Sequence, residues 1–126
     1  MASILIIDDD PVYSDMMQQR LARAGHEVSV LVGPFGGTLA ARKTGLDLII
    51  LDVFMPGLDG PALLDLINKD PARRPKVILC SSMDAKPLEV LAKEHHADGS
   101  LPKASARRDL LEYVEQVLAR RRISIR

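Results

Sequence analysis

The chain holds a single cysteine, Cys80, among 126 residues. One thiol excludes a disulfide framework and fits a reducing compartment. Lying inside the apolar run "VILC", it reads as a buried structural residue. Formal net charge is zero, so bulk charge argues for neither direct nucleic-acid binding nor a membrane surface. No stretch approaches the ~18 apolar residues that span a bilayer, so no membrane insertion is expected. No basic region precedes the first apolar run, so no signal peptide is visible. A cytoplasmic location is therefore predicted. Internal repeats, low-complexity tracts and interdomain linkers are missing too. So are a nucleophile–His–acid arrangement and a glycine-rich phosphate loop; "GPFGG" (33–37) reads as an ordinary loop. His95 and His96 are adjacent, so on a helix they cannot share one ligand direction. His26 falls in an expected turn.

What is present is an ordinary globular composition, 47% hydrophobic and 27% charged. At this length one domain is expected, burying roughly two-thirds of its unfolded surface without staples. Three apolar runs show no polar alternation: "ILII" (4–7), "LIIL" (48–51) and "VILC" (77–80). Strands covered on both faces read this way. "VSVLV" (28–32) is a weaker strand, and "DGSLP" (98–102) holds a short fifth one. Between them lie stretches with helical spacing: Tyr13, Met16, Met17, Leu21 and Ala24; Leu63, Leu64 and Ile67; Leu88, Leu91 and Ala92; Leu110, Leu111, Val114, Val117 and Leu118. A further helix is expected within 33–44.

Asp10-Pro11 predicts an N-cap followed by proline at the first helical position, and Gly60-Pro61 the same arrangement. Gly25 and Gly45 predict helix stops. The alternation gives an α/β fold, a doubly wound (βα)5 sandwich around a five-stranded parallel sheet. The expected domain covers residues 1–119. Residues 120–126, "RRRISIR", form a basic tail or linker stub. The last twenty residues carry six arginines against Asp109, Glu112 and Glu115. Arginine suits a helix C-terminus, and the tail is too short for a DNA-binding element.

In open parallel α/β sheets, sites lie beyond the carboxyl ends of the strands. Asp8, Asp9 and Asp10 follow the first run, Asp52 the second of the unalternating runs, Ser81 and Ser82 the third, and Lys103 the fifth strand. Asp10 is explained as a cap. Asp8, Asp9 and Asp52 would cluster like charges, which raises pKa values or demands a cation. Oxygen-only ligands partly open to water suit Mg²⁺. A carboxylate beside Mg²⁺ and a lysine can accept a phosphoryl group as an acyl phosphate. The lysine and metal would stabilise charge on the transferring oxygens, and Ser81 could hydrogen-bond the bound group.

These motifs resemble the receiver domain of bacterial two-component response regulators over nearly the whole chain. "ILIIDDD" resembles the family's acidic pair, "DLIILDVFMPGLDG" its phosphoacceptor block, "VILCSS" its strand-4 hydroxyl motif and "HADGSLPK" its strand-5 lysine motif. The resemblance implies a flavodoxin-like fold with strand order 2-1-3-4-5. It implies phosphotransfer to Asp52 from a histidine kinase, a phosphotransfer protein or a small phosphodonor. Asp9, Asp52 and the Phe54 backbone carbonyl would hold Mg²⁺ (or Mn²⁺), with Asp8 acting through a water or behind the ligands. Ser81 and Lys103 would meet the phosphoryl group. Departures from the family pattern are Ser100, where a switch aromatic is usual, and Ala104, where a proline commonly follows the lysine in a cis peptide. A trans bond is expected after Lys103, since a non-proline cis bond costs about 2.5–4 kcal/mol. Phe54 and Met83 stand at the two positions that govern water access, and both are bulky and apolar, which predicts slow hydrolysis.

The leading expectation is a phosphorylation-dependent signalling switch acting through a helix 4/strand 5/helix 5 face. It would pass signals to a downstream protein partner or to an effector domain that this chain lacks. Dimerisation through helices 4 and 5 stays open. The alternative is a phosphorylation-independent interaction module with the same fold, its switch weakened at Ser100 and Ala104. An aspartate-nucleophile phosphatase needs an acidic residue two positions past the nucleophile, and Phe54 cannot serve. The protein is therefore not expected to be an enzyme beyond self-phosphorylation from small donors and slow dephosphorylation.

Overall fold

The structure is a computed structural model and describes residues 1–32, 40, 45–72 and 74–120. The order is β1 (Ser3–Ile7), α1 (Pro11–Arg23), β2 (Glu27–Leu31), β3 (Leu48–Asp52), β4 (Phe54–Met55), β5 (Leu58–Asp59), α2 (Gly60–Asn68), β6 (Lys76–Ser81), α3 (Ala85–Glu94), β7 (Gly99–Pro102) and α4 (Lys103–Ala119). The main sheet has five strands in the order β2-β1-β3-β6-β7, all parallel. Leaving out the β4–β5 hairpin, that is the expected order 2-1-3-4-5. Apart from Ala40, the helix expected within 33–44 lies outside the described residues, as does the basic tail beyond Arg120.

The unalternating runs sort themselves by parity. Ile4, Ile6, Leu48, Ile50, Ile78 and Cys80 face one way, against Met17 and Leu21 of α1 and Ala106, Leu110, Val114 and Val117 of α4. Leu5, Ile7, Ile49, Leu51, Val77 and Leu79 face the other, against Leu63, Leu64 and Ile67 of α2 and Leu88 and Ala92 of α3. Side chains alternate across a strand, so a sheet sandwiched by helices needs apolar residues at every position. Two residues expected in these faces stay outside: Leu111 is 41% exposed, and Ala24 is an exposed C-cap.

Local signals set the helix ends. Asp10 caps α1, accepting from Val12 N at 3.0 Å, with Pro11 opening the helix. The cap of α2 is Asp59 rather than the expected Gly60: its carboxylate accepts from Ala62 N at 3.4 Å, and Pro61 stands at the second helical position. Glycine has no side chain to cap with, and the short hairpin brings Asp59 to the helix mouth. Gly25 and Gly45 adopt positive φ, 96° and 84°, as helix or turn stops require. Two buried cations were not foreseen. Lys76 reaches the C-terminal carbonyls of α4, Val117 O at 2.9 Å and Leu118 O at 2.8 Å, and also Arg120 O. Arg74 pairs with Asp98 at 2.7 Å and donates to Asn68 and the His96 carbonyl.

Candidate functional site

The chain leaves β1 toward α1 on one face of the sheet and β3 toward α2 on the other. Neighbouring strands whose connections part in this way open a crevice at their carboxyl ends. Asp8 and Asp9 follow β1, Asp52 ends β3, and Lys103 follows β7. Carboxylate oxygens of Asp8, Asp9 and Asp52 all lie within 4.8 Å of one another. The Lys103 ammonium stands 3.1 Å from Asp8 Oδ2 and 3.5 Å from Asp52 Oδ2. The expected convergence of three carboxylates and an ammonium is therefore present.

The approach depends on one glycine. A Cβ on Gly60 would lie 2.2 Å from the Asp52 carbonyl oxygen and 3.0 Å from Val53 Cα. Backbone cannot yield as a side chain can, so only glycine lets the start of α2 rest on the strand end that presents Asp52.

Asp8 and Asp52 are buried, whereas Asp9 is half-buried at the edge of the cleft. Asp8 Oδ1 accepts from Asp10 N at 2.8 Å and from Lys103 Nζ at 3.2 Å. Its Oδ2 takes the lysine's charge without a hydrogen bond. Burial pushes Asp52 up to about 7, and the charge of Asp8 adds to it; Lys103 and the Phe54 N–H pull the other way without prevailing. For Lys103 burial lowers the pKa, but the hydrogen bond and charge of Asp8, with the charge of Asp52, outweigh it and leave the ammonium raised. Three carboxylates with one lysine thus retain excess negative charge, and a buried carboxylate oxygen lacks a hydrogen bond. Hard oxygen donors with such an orphan fit a small divalent cation such as Mg²⁺ or Mn²⁺.

A cleft of about 400 Å³ opens here, lined by Asp9, Asp10, Tyr13, Asp52, Phe54, Ser82, Lys103 and Ala104. Phe54 stands at its lip, 63% exposed. Ser81 is fully buried, and its hydroxyl accepts from Met83 N at 3.1 Å; Ser82 lines the cleft in its place. Met83 packs partly buried on the α2–α3 side of the core rather than along the cleft. No cis peptide occurs among the described residues. Ser100 lies on the edge strand β7, where its N–H donates to the Tyr113 hydroxyl at 2.8 Å. The Cys80 thiol lies beneath the site and is pushed up to about 12, by burial first, so it is inert.

Sequence reasoning placed Tyr13 in the core and missed its second contact: its hydroxyl donates to the Lys103 carbonyl at 3.2 Å, and its ring centroid is 5.0 Å from the Lys103 ammonium. Ninety positions separate the partners, and no local signal links them. The histidines stand apart. His95 pairs with Asp65 at 2.9 Å, and His26 joins Ala2 N at 3.0 Å to Glu115 at 2.7 Å.

Residues 4–115 match the family model of the response regulator receiver domain. The chain is 31% identical over 120 residues to the transcriptional activator protein PfeR of Pseudomonas aeruginosa, covering 95% of this chain but 39% of PfeR. It is 31% identical to protein PilH of the same organism, covering 94% of this chain and 99% of PilH. It spans half the length of the transcriptional regulatory protein YkoG of Bacillus subtilis. Among solved structures, a putative response regulator from Chloroflexus aurantiacus superposes with a TM-score of 0.85 at 26% identity, covering 94% of this chain and 98% of that one. A CheY-like receiver domain protein from Methanospirillum hungatei gives 0.80 at 27%, covering 94% of each.

Proposed function

The chain belongs to the response regulator receiver domain family, and on that footing we propose that it is a phosphorylation-dependent switch with Asp52 as the phosphoacceptor. Receiver domains are signalling domains of two-component systems rather than classical enzymes. The observation that carries the reading is the Asp52 carboxylate, walled by Asp8 and Asp9 and 3.5 Å from the Lys103 ammonium at the head of a solvent-facing cleft.

An Asp52 carboxylate oxygen attacks the phosphorus of the donor. The new O–P bond forms as the bond to the donor's leaving group breaks, giving an acyl phosphate. Lys103, already turned toward Asp52, pairs with a phosphoryl oxygen. Asp8 pairs with the same ammonium and keeps it in the cleft. Asp9, Asp52 and the Phe54 carbonyl would hold Mg²⁺ or Mn²⁺, with Asp8 behind them through a water. Bound there, the cation supplies charge neutralisation for the carboxylates and the phosphoryl oxygens. The Ser81 hydroxyl, which accepts from Met83 N, would donate its own proton to a phosphoryl oxygen, drawing the β6–α3 loop inward. Upstream partners are a histidine kinase, a phosphotransfer protein or a small donor. Output passes to a protein partner or an effector domain through the face made by α3, β7 and α4, the expected helix 4, strand 5 and helix 5.

The test is beryllofluoride binding with Mg²⁺, read by NMR, beside phosphoramidate labelling read by intact mass. Wild type should bind the mimic and gain one phosphoryl group, and Asp52→Asn should do neither. Labelling that persists in Asp52→Asn would refute the assignment.

Ser100 favours a second reading, a phosphorylation-independent interaction module. Its position carries no aromatic, and its amide is tied to Tyr113 on α4. Mimic binding that leaves α3, β7 and α4 resonances unmoved would select this reading.

A further inference from the structure

Lys103 has a flexible four-carbon stem ending in a compact charge, yet it must aim that charge at one corner of the cleft. Three kinds of contact fix it. Asp8 and Asp52 hold the ammonium from one side at 3.1 and 3.5 Å. The face of Tyr13 lies 5.0 Å away at its ring centroid, within the range of a cation–π attraction. The third contact is at the other end of the same residue, where the Tyr13 hydroxyl donates to the Lys103 carbonyl at 3.2 Å. One side chain therefore touches both the charge and the backbone of the lysine.

Tyr13 is itself fixed to the acidic side of the site. It sits in the first turn of α1, which Asp10 caps and Pro11 opens. The Asp10 N–H is held by Asp8 Oδ1 at 2.8 Å, the oxygen that also accepts from Lys103. Asp8, Asp10, the first turn of α1, Tyr13 and Lys103 thus form a closed ring of contacts. At the head of α4 little else serves this purpose. The N-cap position is Pro102, which supplies no side-chain cap, and Ala104 places no ring constraint on the peptide that joins it to Lys103.

We propose that Tyr13 is a positioning residue for Lys103, holding its ammonium where the phosphoryl oxygens arrive. The proposal rests on the phosphoacceptor reading above. It assigns to α1 a part in phosphoryl recognition that involves neither a metal ligand nor the acceptor.

The experiment uses the full chain with Tyr13→Phe and Tyr13→Leu. Three quantities are read: the Lys103 side-chain resonances, Mg²⁺ affinity, and beryllofluoride affinity in saturating Mg²⁺. Wild type and Tyr13→Phe should show a ring-current shift on the Lys103 ε-methylene that Tyr13→Leu loses. Mimic affinity should fall about threefold in Tyr13→Phe, which loses the hydroxyl, and about tenfold in Tyr13→Leu, which also loses the cation–π contact. Mg²⁺ affinity should stay within about twofold of wild type, because each carboxylate is intact; a merely structural defect would weaken both together. Wild-type mimic affinity in Tyr13→Leu, or equal losses for Mg²⁺ and the mimic, would overturn the proposal. If Tyr13→Leu does not fold, Tyr13→Phe decides, and wild-type affinity there overturns it. A wild type that binds no mimic refutes the phosphoacceptor reading instead, and the Lys103 resonances then judge the clamp alone.

Discussion

Replacing Asp52 by asparagine should make the cation-free protein more stable, although the residue is the centre of the site. Folding carries Asp52 from an ordinary 3.8 to about 7, through burial first and the charge of Asp8 second. The folded state then holds the proton more tightly than the unfolded chain does. Below about pH 4 both states are protonated and the carboxyl costs nothing. Between there and pH 7 the folded state must surrender its extra proton, so stability falls as pH rises; above 7 the full cost is present. At roughly 1.4 kcal/mol per pH unit the ceiling is about 4 kcal/mol. The cleft admits solvent, and screening reduces this to about 2 kcal/mol. Asparagine keeps the shape, removes the charge, and leaves Lys103 paired with Asp8 at 3.1 Å. For a chain of this size the gain corresponds to a rise of roughly 6–10 °C in Tm. Thermal unfolding in EDTA from pH 4 to 8 would measure it. Wild type should lose stability from about pH 4 up to pH 7 and level off above it, and Asp52→Asn should show a flatter profile. Mg²⁺ should then restore wild type by mass action and leave the variant largely unmoved. An asparagine variant no more stable than wild type at pH 8, or one with the same pH slope, would refute the reasoning.

Other consequences follow from the packing around the site. Gly60→Ala forces a methyl against the Asp52 carbonyl. It should cost about 1–3 kcal/mol in urea unfolding and weaken beryllofluoride binding, since the strand end that carries Asp52 must move. Lys76→Met removes a buried ammonium from the last carbonyls of α4. A loss of about 1.5–3 kcal/mol is expected, with faster amide exchange confined to the final turn of that helix. Tyr113→Phe strips the hydroxyl that accepts the Ser100 N–H and should cost about 1 kcal/mol by denaturant titration. Phospho-Asp52 should decay slowly in Mg²⁺, because Phe54 offers no acid or base to an attacking water; turnover within seconds in a lifetime assay would contradict this.

Particular residues explain how much was legible. "ILII", "LIIL" and "VILC" announced strands because a doubly covered sheet tolerates no polar position, and their alternation with helical spacing made the layered α/β architecture legible. Asp10-Pro11 marked a helix start because cap and proline act within three residues. Asp59 was overlooked as the next cap because strands of two residues, such as β4 and β5, carry no periodicity. Nothing local in the sequence marks Arg74 and Lys76; only the helix ends folded over them turn them into buried anchors. At the site, Asp8, Asp9, Asp52 and Lys103 were legible because each stands at or just past the end of a strand, and strand ends converge by topology. Ser81 was identified the same way, but its side chain is turned to the Met83 amide while Ser82 faces the cleft.

The succession of strands and turns and the gathering of like charges at the strand ends were therefore written in the chain itself, since periodicity, caps and strand ends can be read locally. The tertiary structure decided which buried atoms lack partners, how far the Asp52 proton is held, and that Tyr13 grips Lys103 at both ends. Those properties depend on distances of a few ångströms between residues far apart in sequence, and only the packing of the helices on the two faces of the sheet sets them.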